Sequence, residues 1–302
     1  MKPPLPPRKR NLAYWLRLLA FFVGLLYLSV ILIIPLQFGI QQIRPAHSQV
    51  CCKTPQDHGL EFESVTFQTQ DGLTLRGWHI PSRNGAVVIT LHGYGGNRLG
   101  TLGQAVLLAQ HGYGVLLYDQ RASGESDGEN LSWGWRDVAD VSDAVQYLQA
   151  GKRYAPAQIG IYGCSTGAEI ALASTALNGD LRAVAAEDAE YSTTRDILIM
   201  PDWKDQLFFP GYHLFIKVME WRSGTSASIS LSEAVGRISP RPLLLISNGQ
   251  DFDYIQAQYY FDLAKEPKEH WNLPNSYHCG GLTTHPQEYE TKLTGFFDAA
   301  FR

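Results

Sequence analysis

A five-residue string, Gly163-Cys164-Ser165-Thr166-Gly167, stands between a short apolar run, Ile159 to Tyr162, and a segment of helical pattern, Ala168 to Ala176. A chain that passes from strand to helix in so few residues turns sharply, and the turn forces Ser165 into strained backbone angles. Side chains at the flanking positions would collide with neighbouring backbone, so both are glycine. The serine then stands above the carboxyl end of its strand, at the N-terminus of a helix whose dipole adds partial positive charge. Cys164 precedes the apex and is expected to point into the fold. Glu169, in the first helical turn, reads as a helix-dipole contact. A strand-to-helix turn with an incidental serine is the alternative for this string taken alone.

The rest of the chain supplies a frame for such a junction. Phe62 to Gln68 and Leu73 to Ile80, separated by a turn containing Asp71-Gly72, predict an antiparallel hairpin. Short apolar runs then alternate with longer helical patterns, as in a mostly parallel sheet covered by helices. Strands are expected at Ala86 to Leu91, Gly114 to Asp119, Ile159 to Tyr162, Leu181 to Ala186, Pro242 to Ser247 and Glu269 to Leu273. Helices are expected at Leu102 to His111, Trp135 to Gln149, Ala168 to Ala176, Ile255 to Lys265 and Gln287 to Phe301. From about Glu190 to Ser239 the rhythm breaks into an aromatic-rich stretch, with Tyr191, Trp203, Phe208, Phe209, Tyr212, Phe215 and Trp221, read here as an inserted lid.

Four further segments follow predicted strands. They are Leu91-His92-Gly93-Tyr94-Gly95-Gly96-Asn97; Asp119-Gln120-Arg121-Ala122-Ser123-Gly124-Glu125-Ser126; Ser247-Asn248-Gly249-Gln250-Asp251; and Pro274-Asn275-Ser276-Tyr277-His278-Cys279-Gly280-Gly281. Together with the serine pentapeptide, and in this order, they resemble the α/β-hydrolase superfamily over about Phe62 to Phe301. The closest resemblance is to its dipeptidyl aminopeptidase-like and acylaminoacyl peptidase-like serine hydrolases. The resemblance implies an α/β-hydrolase fold: a mostly parallel central sheet, helices on both faces, and an inserted helical lid. It implies a triad of Ser165, Asp251 and His278, in the chain order of that fold, and an oxyanion hole formed by the backbone amides of Tyr94 and Thr166. It makes the Asp119 to Ser126 segment structural. Ala122 and Asn248 stand where the family usually has glycine; asparagine tolerates left-handed angles.

On this reading His278 takes the Ser165 proton, Asp251 fixes the imidazole, and an acyl-enzyme forms on an ester, thioester or amide substrate. Asp253 and Asp188 are the competing carboxylates, and His285 is the nearest competing imidazole among the nine histidines. His92 reads as a packing and hydrogen-bonding residue of its loop. No cofactor is expected. The aromatic lid could roof a pocket for a lipid-like acyl group, or could be a structural cap that completes the core.

The N-terminus adds a second constraint. Lys2, Arg8, Lys9 and Arg10 precede nineteen uncharged residues, Leu18 to Leu36. With Leu12 to Leu16 added and Arg17 snorkelling, this stretch is long enough to cross a bilayer. Tyr14 and Trp15 sit where interfacial aromatics are expected, and the basic cluster places the N-terminus in the cytoplasm and the remainder outside. A cleaved signal peptide, with Ala46-His47-Ser48 as its site, is the rival, but its apolar stretch should be shorter. The expected organisation is a basic segment and transmembrane helix over 1–44, a linker over 45–60, and a hydrolase domain over 61–302 with the lid at about 190–239.

A formal net charge of −4 with no basic stripe beyond the N-terminus argues against nucleic acid as a partner. The four cysteines, Cys51, Cys52, Cys164 and Cys279, show neither zinc spacing nor an evident disulfide framework, so no metal site is expected. Adjacent Cys51 and Cys52 read as free thiols in a linker or as partners of distant cysteines, since neighbours rarely bridge each other. Two non-enzymatic readings stand beside the hydrolase: a binding protein that keeps the fold without activity, and a membrane-surface module whose lid docks a partner.

Overall fold

The computed structural model of the protein describes residues 11–44, 46–198, 203–249 and 252–302. An eight-stranded sheet comprises β1 (Glu63–Gln68), β2 (Thr74–Ile80), β3 (Val87–Leu91), β4 (Gly114–Tyr118), β5 (Ile159–Cys164), β6 (Ala183–Glu187), β7 (Leu243–Asn248) and β8 (Lys268–Leu273), in spatial order β1-β2-β4-β3-β5-β6-β7-β8. β2 pairs antiparallel with β1 and β4, and every pairing from β4 onward is parallel. All residues of β3, β4, β5, β6 and β7 are buried, as strands covered on both faces must be. This is the α/β-hydrolase architecture.

The helices are α1 (Leu12–Gln42), α2 (Leu102–Gln110), α3 (Asp137–Lys152), α4 (Thr166–Leu177), α5 (Thr194–Leu198), α6 (Trp203–Ser223), α7 (Leu231–Ile238), α8 (Phe252–Leu263), α9 (Gly281–Thr284) and α10 (Pro286–Ala300). Two apolar layers flank the sheet. One joins Leu75, Ile89, Leu116 and Ile161 to α3, α4, α7 and α8; the other joins Val88, Leu117, Tyr162 and Leu244 to α2 and α10. Within the expected 190–239 insertion, α7 is amphipathic, and its Leu231, Ala234, Val235 and Ile238 are buried in the first of these layers.

α1 is a continuous helix, with a π-helical turn at Ser29–Ile33, long and apolar enough to cross a membrane. At 1.5 Å per residue it extends roughly 46 Å. None of the residues of its first seventeen, Leu12–Leu28, is buried, so its apolar side chains are exposed on every side. The other end is seated on the domain: Ile43 is fully buried, its carbonyl accepts from the Leu131 amide (2.9 Å), and Arg44 donates to Asn130 Oδ1 (2.7 Å). The helix runs past the apolar stretch read from the sequence and ends beside the loop after β3, where the Gln42 carbonyl accepts from the Tyr94 hydroxyl.

Two cysteine readings are corrected here. Cys164 and Cys279 form a disulfide, and Cys51 is bridged to Cys52. The first pair is far apart in sequence but comes together because the β5–α4 turn and the loop after β8 converge over the same sheet edge.

Candidate active site

The turn after β5 has the conformation its glycines predict. Ser165 has φ 55° and ψ −129°, angles that L-residues rarely adopt. A Cβ on Gly163 would lie 2.1 Å from the Gly167 carbonyl oxygen, and one on Gly167 would lie 2.3 Å from that of Leu91. Neither position has room for a side chain. The Ser165 amide donates to the Glu187 carbonyl (2.9 Å), tying the apex to the end of β6.

The loop after β3 faces this serine. A Cβ on Gly93 would approach Ser165 Cβ to 3.3 Å and its Oγ to 3.7 Å. His92 holds the loop in place: its Nδ1–H donates to the Gly93 carbonyl (2.8 Å), and its Nε2 accepts from the Gln120 amide (3.1 Å). Both ring nitrogens are thus used by a neutral, buried imidazole, whose pKa burial lowers. Gln120 Nε2 returns a bond to the His92 carbonyl (2.6 Å). Tyr94 follows, its hydroxyl donating to the Gln42 carbonyl at the end of α1 (2.9 Å).

The Asp119 to Ser126 segment builds the wall behind the loop. Asp119 is fully buried and accepts from the Arg98 amide, Nε and Nη2 at 2.8, 3.1 and 2.6 Å. Arg121 is clamped between Asp140 and Asp71, and Ala122 holds φ 55° where the resemblance leads one to expect glycine.

His278 lies between β8 and α9, next to Cys279, whose disulfide partner Cys164 precedes Ser165. Its Nδ1–H donates to Asp253 Oδ2 (3.1 Å), in the first turn of α8, while Asp188 Oδ2 is 3.8 Å from the same nitrogen. The bond to Asp253, helped by the charges of Asp253, Asp188 and Glu190 and opposed by burial, raises the imidazole pKa to about 9. Asp251 lies outside the described residues. His285 is paired with the Thr284 hydroxyl (2.8 Å), away from any of these carboxylates.

Asp188 is the buried post of the histidine loop. It accepts from the Asn248 amide (2.8 Å), from Asn248 Nδ2 (2.7 Å) and from the Cys279 amide (2.6 Å). Burial, together with the nearby Asp253 charge, pushes its pKa to about 7. Glu187 beside it accepts from Tyr162 (2.6 Å), Tyr289, Asn248 Nδ2 (2.8 Å) and the Gly281 amide (3.2 Å). Asn248, the departure from glycine, therefore spends its side-chain donor on both acids. Asp188, Asp253 and His278 offer ligand atoms within 4.8 Å of one another. Asp188 Oδ2 already accepts from Asn248 Nδ2 and from the Cys279 amide.

Glu169 is buried, and burial with the charges of Glu190 and Asp196 raises its pKa well above the carboxylate range, against the opposing pull of the Glu190 and Tyr191 backbone. It is thus a buried group set against the loop after β6. Sequence reasoning missed this placement and the convergence of Glu187 and Asp188 on the histidine loop. The available signal was the pair of adjacent acids at the end of a buried strand.

Residues 50–267 match the X-Pro dipeptidyl-peptidase (S15) family. The chain belongs to the S15 peptidase family. The segment matched to S15 carries Ser165 and Asp253 and stops before His278. This S15 member is 27% identical over 252 residues to the uncharacterized protein YfhR of Escherichia coli (strain K12), covering 79% of this chain and 81% of that one. It is 37% identical over 131 residues to the polyketide transferase ATR5 of Stachybotrys chlorohalonatus, 41% and 43% of the two chains. Its fold is similar to that of the Pyrococcus furiosus esterase Pf2001, with a TM-score of 0.70 at 22% identity over 87% of this chain and 99% of the esterase. The S15 chain is an α/β hydrolase.

Proposed function

We propose that this hydrolase works through an acyl-enzyme on Ser165, with His278 as general base and acid, Asp253 as the residue that orients it, and the Tyr94 and Thr166 amides as the oxyanion hole. The observation that carries the reading is the His278 Nδ1–Asp253 Oδ2 bond of 3.1 Å, made by the residue adjacent to Cys279 while Cys279 is bonded to the neighbour of the serine. With Nδ1 committed to the acid, Nε2 is the nitrogen left for the hydroxyl.

The chemistry follows from these roles. Ser165 Oγ attacks the substrate carbonyl as its proton passes to His278; the bond to the leaving group breaks and the leaving group takes that proton. Water then repeats the sequence and frees the acid product. The two amides stabilise the negative oxygen in each half, a contribution of about 3 kcal/mol per donor in comparable sites. The substrate is an ester, thioester or amide; no cofactor enters.

The exposed apolar α1 supports attachment to a membrane through this helix, with the basic N-terminus in the cytoplasm and the catalytic domain on the other side. Two disulfides favour that oxidising side. A fluorophosphonate probe tests the enzyme directly. Labelling of the wild type and not of Ser165→Ala is expected; a folded wild type that takes no label would instead favour a non-catalytic binding protein.

A further inference from the structure

The end of α1 is not only a tether. A cavity of about 250 Å³ lies between it and α6, walled by Ile34 and Phe38 from α1, Phe208 and Phe215 from α6, and Trp133 and Tyr191 from the loops beside the serine. The two helices approach closely where side chains are smallest: a Cβ on Gly211 would lie 3.3 Å from Ile31 Cα, and one on Gly39 would lie 2.8 Å from Val218 Cγ1.

One wall residue, Trp133, links the cavity to the Tyr94 loop, and Ile34 and Phe38 link it to the apolar helix. Trp133 packs on Tyr94, the oxyanion-loop residue, with ring centroids 5.0 Å apart, and on Phe215 at 5.0 Å. Its neighbour Gly134 abuts Thr166, the residue after the serine: a Cβ there would lie 3.2 Å from Thr166 Cγ2. On the α1 side, Tyr27 donates to the Leu207 carbonyl (3.0 Å), and Leu207 and the wall residue Phe208 of α6 are exposed beside the uncovered half of α1. An apolar surface there is continuous with a helix suited to hydrocarbon.

We infer that this cavity is the acyl subsite and that its occupant is a single long acyl chain of an amphiphile, drawn along α1 from the bilayer. This inference rests on the Ser165 reading and deepens it. A volume below the roughly 300–1,000 Å³ of general ligand pockets suits one chain with its headgroup left outside. The membrane helix is on this account part of the substrate site, and not solely an anchor.

The test uses the full chain in detergent micelles and compares kcat/KM for p-nitrophenyl dodecanoate and butyrate. Wild type is expected to prefer dodecanoate, and Ile34→Trp, which fills the cavity from α1, to lower the dodecanoate-to-butyrate ratio at least ten-fold. Leu25→Trp, on the same helix but outside the cavity, is expected to leave the ratio unchanged. The inference is overturned if wild type prefers butyrate, if Ile34→Trp leaves the ratio intact, or if Leu25→Trp lowers it equally. In each of those cases fluorophosphonate labelling at Ser165 preserves the hydrolase reading, whereas absence of labelling with no hydrolysis of either ester removes that reading itself.

Discussion

Cys164 and Cys279 have their Cα atoms 6.0 Å apart across a sequence separation of 115 residues, and their disulfide joins the residue before Ser165 to the residue after His278. The bond spans the two segments whose relative position the proposed proton transfer requires. Closing so long a loop restricts the unfolded chain, and removal of such a bond typically costs about 2–4 kcal/mol. Cys164→Ala/Cys279→Ala is therefore expected to lower the denaturant midpoint by that equivalent while leaving the fold intact. It is also expected to lower kcat more than it raises KM, because the histidine loop loses one of its fastenings. Unchanged stability and unchanged kcat in the double variant, measured against an untreated and a reduced wild type, would contradict this.

The carboxylate that orients the histidine can be identified by comparing two substitutions. In a serine triad, replacing the acid by its amide costs about 10⁴ in kcat through loss of the correct tautomer. Asp253→Asn is expected to lose 10³- to 10⁴-fold by that precedent, with Ser165 still present and the protein folded. Asp251→Asn is expected to lose far less. Steady-state kinetics on a short ester decide the matter, and the reverse order of losses would return the role to Asp251.

The acidity of His278 sets a pH profile. A general base must be neutral to accept the serine proton, and its partner Asp253 raises the imidazole to about 9. The value of kcat/KM should accordingly rise with pH up to an apparent pKa near 9, well above the ordinary histidine range. In Asp253→Asn the inflection should move to lower pH while the plateau falls. For stability the sign is the opposite of that for activity. Because the folded-state pKa is raised, the stabilisation from this group is present in full below the ordinary histidine value and is lost as pH rises through about 9.

The elbow glycines give a structural prediction. Gly167→Ala would place a methyl group 2.3 Å from the Leu91 carbonyl oxygen and 2.7 Å from that of His92, both backbone atoms that cannot swing aside. A loss of about 3 kcal/mol or more is expected, at the upper end for overpacking. Thermal unfolding of the purified variant, or its failure to accumulate, checks this. Gly179→Ala, where nothing lies within 4 Å, serves as the tolerated control.

The sheet and the elbow were legible because each rests on local rules. Buried strands such as Val87–Leu91 and Leu243–Asn248 open on apolar runs, Val87-Val88-Ile89 and Leu243-Leu244-Leu245-Ile246, and the Gly163 and Gly167 spacing follows from collisions within one turn. The place of His278 in the loop after the last strand could also be read from the sequence. The acid was not legible because three carboxylates, Asp188, Asp251 and Asp253, fall near the same strand ends, and a one-residue change of position in the first turn of a helix alters which way a side chain points. The Cys164–Cys279 bond was invisible for a different reason: its partners meet only once the whole sheet has formed. The aromatic insertion announced itself by composition, but its pairing with α1 did not. Only Gly39 and Gly211, small residues facing a neighbouring helix, hinted at it.

The Tyr94 hydroxyl grips the last turn of α1 while the same residue's amide is assigned to the developing negative oxygen. If α1 sits in a bilayer and Ser165 is the nucleophile, as proposed, a protease that clipped the segment joining helix and domain would release the domain with an altered catalyst, since one buttress of the Tyr94 loop would stay behind in the lipid. Shedding, for a molecule so assembled, is a change of chemistry as well as of address.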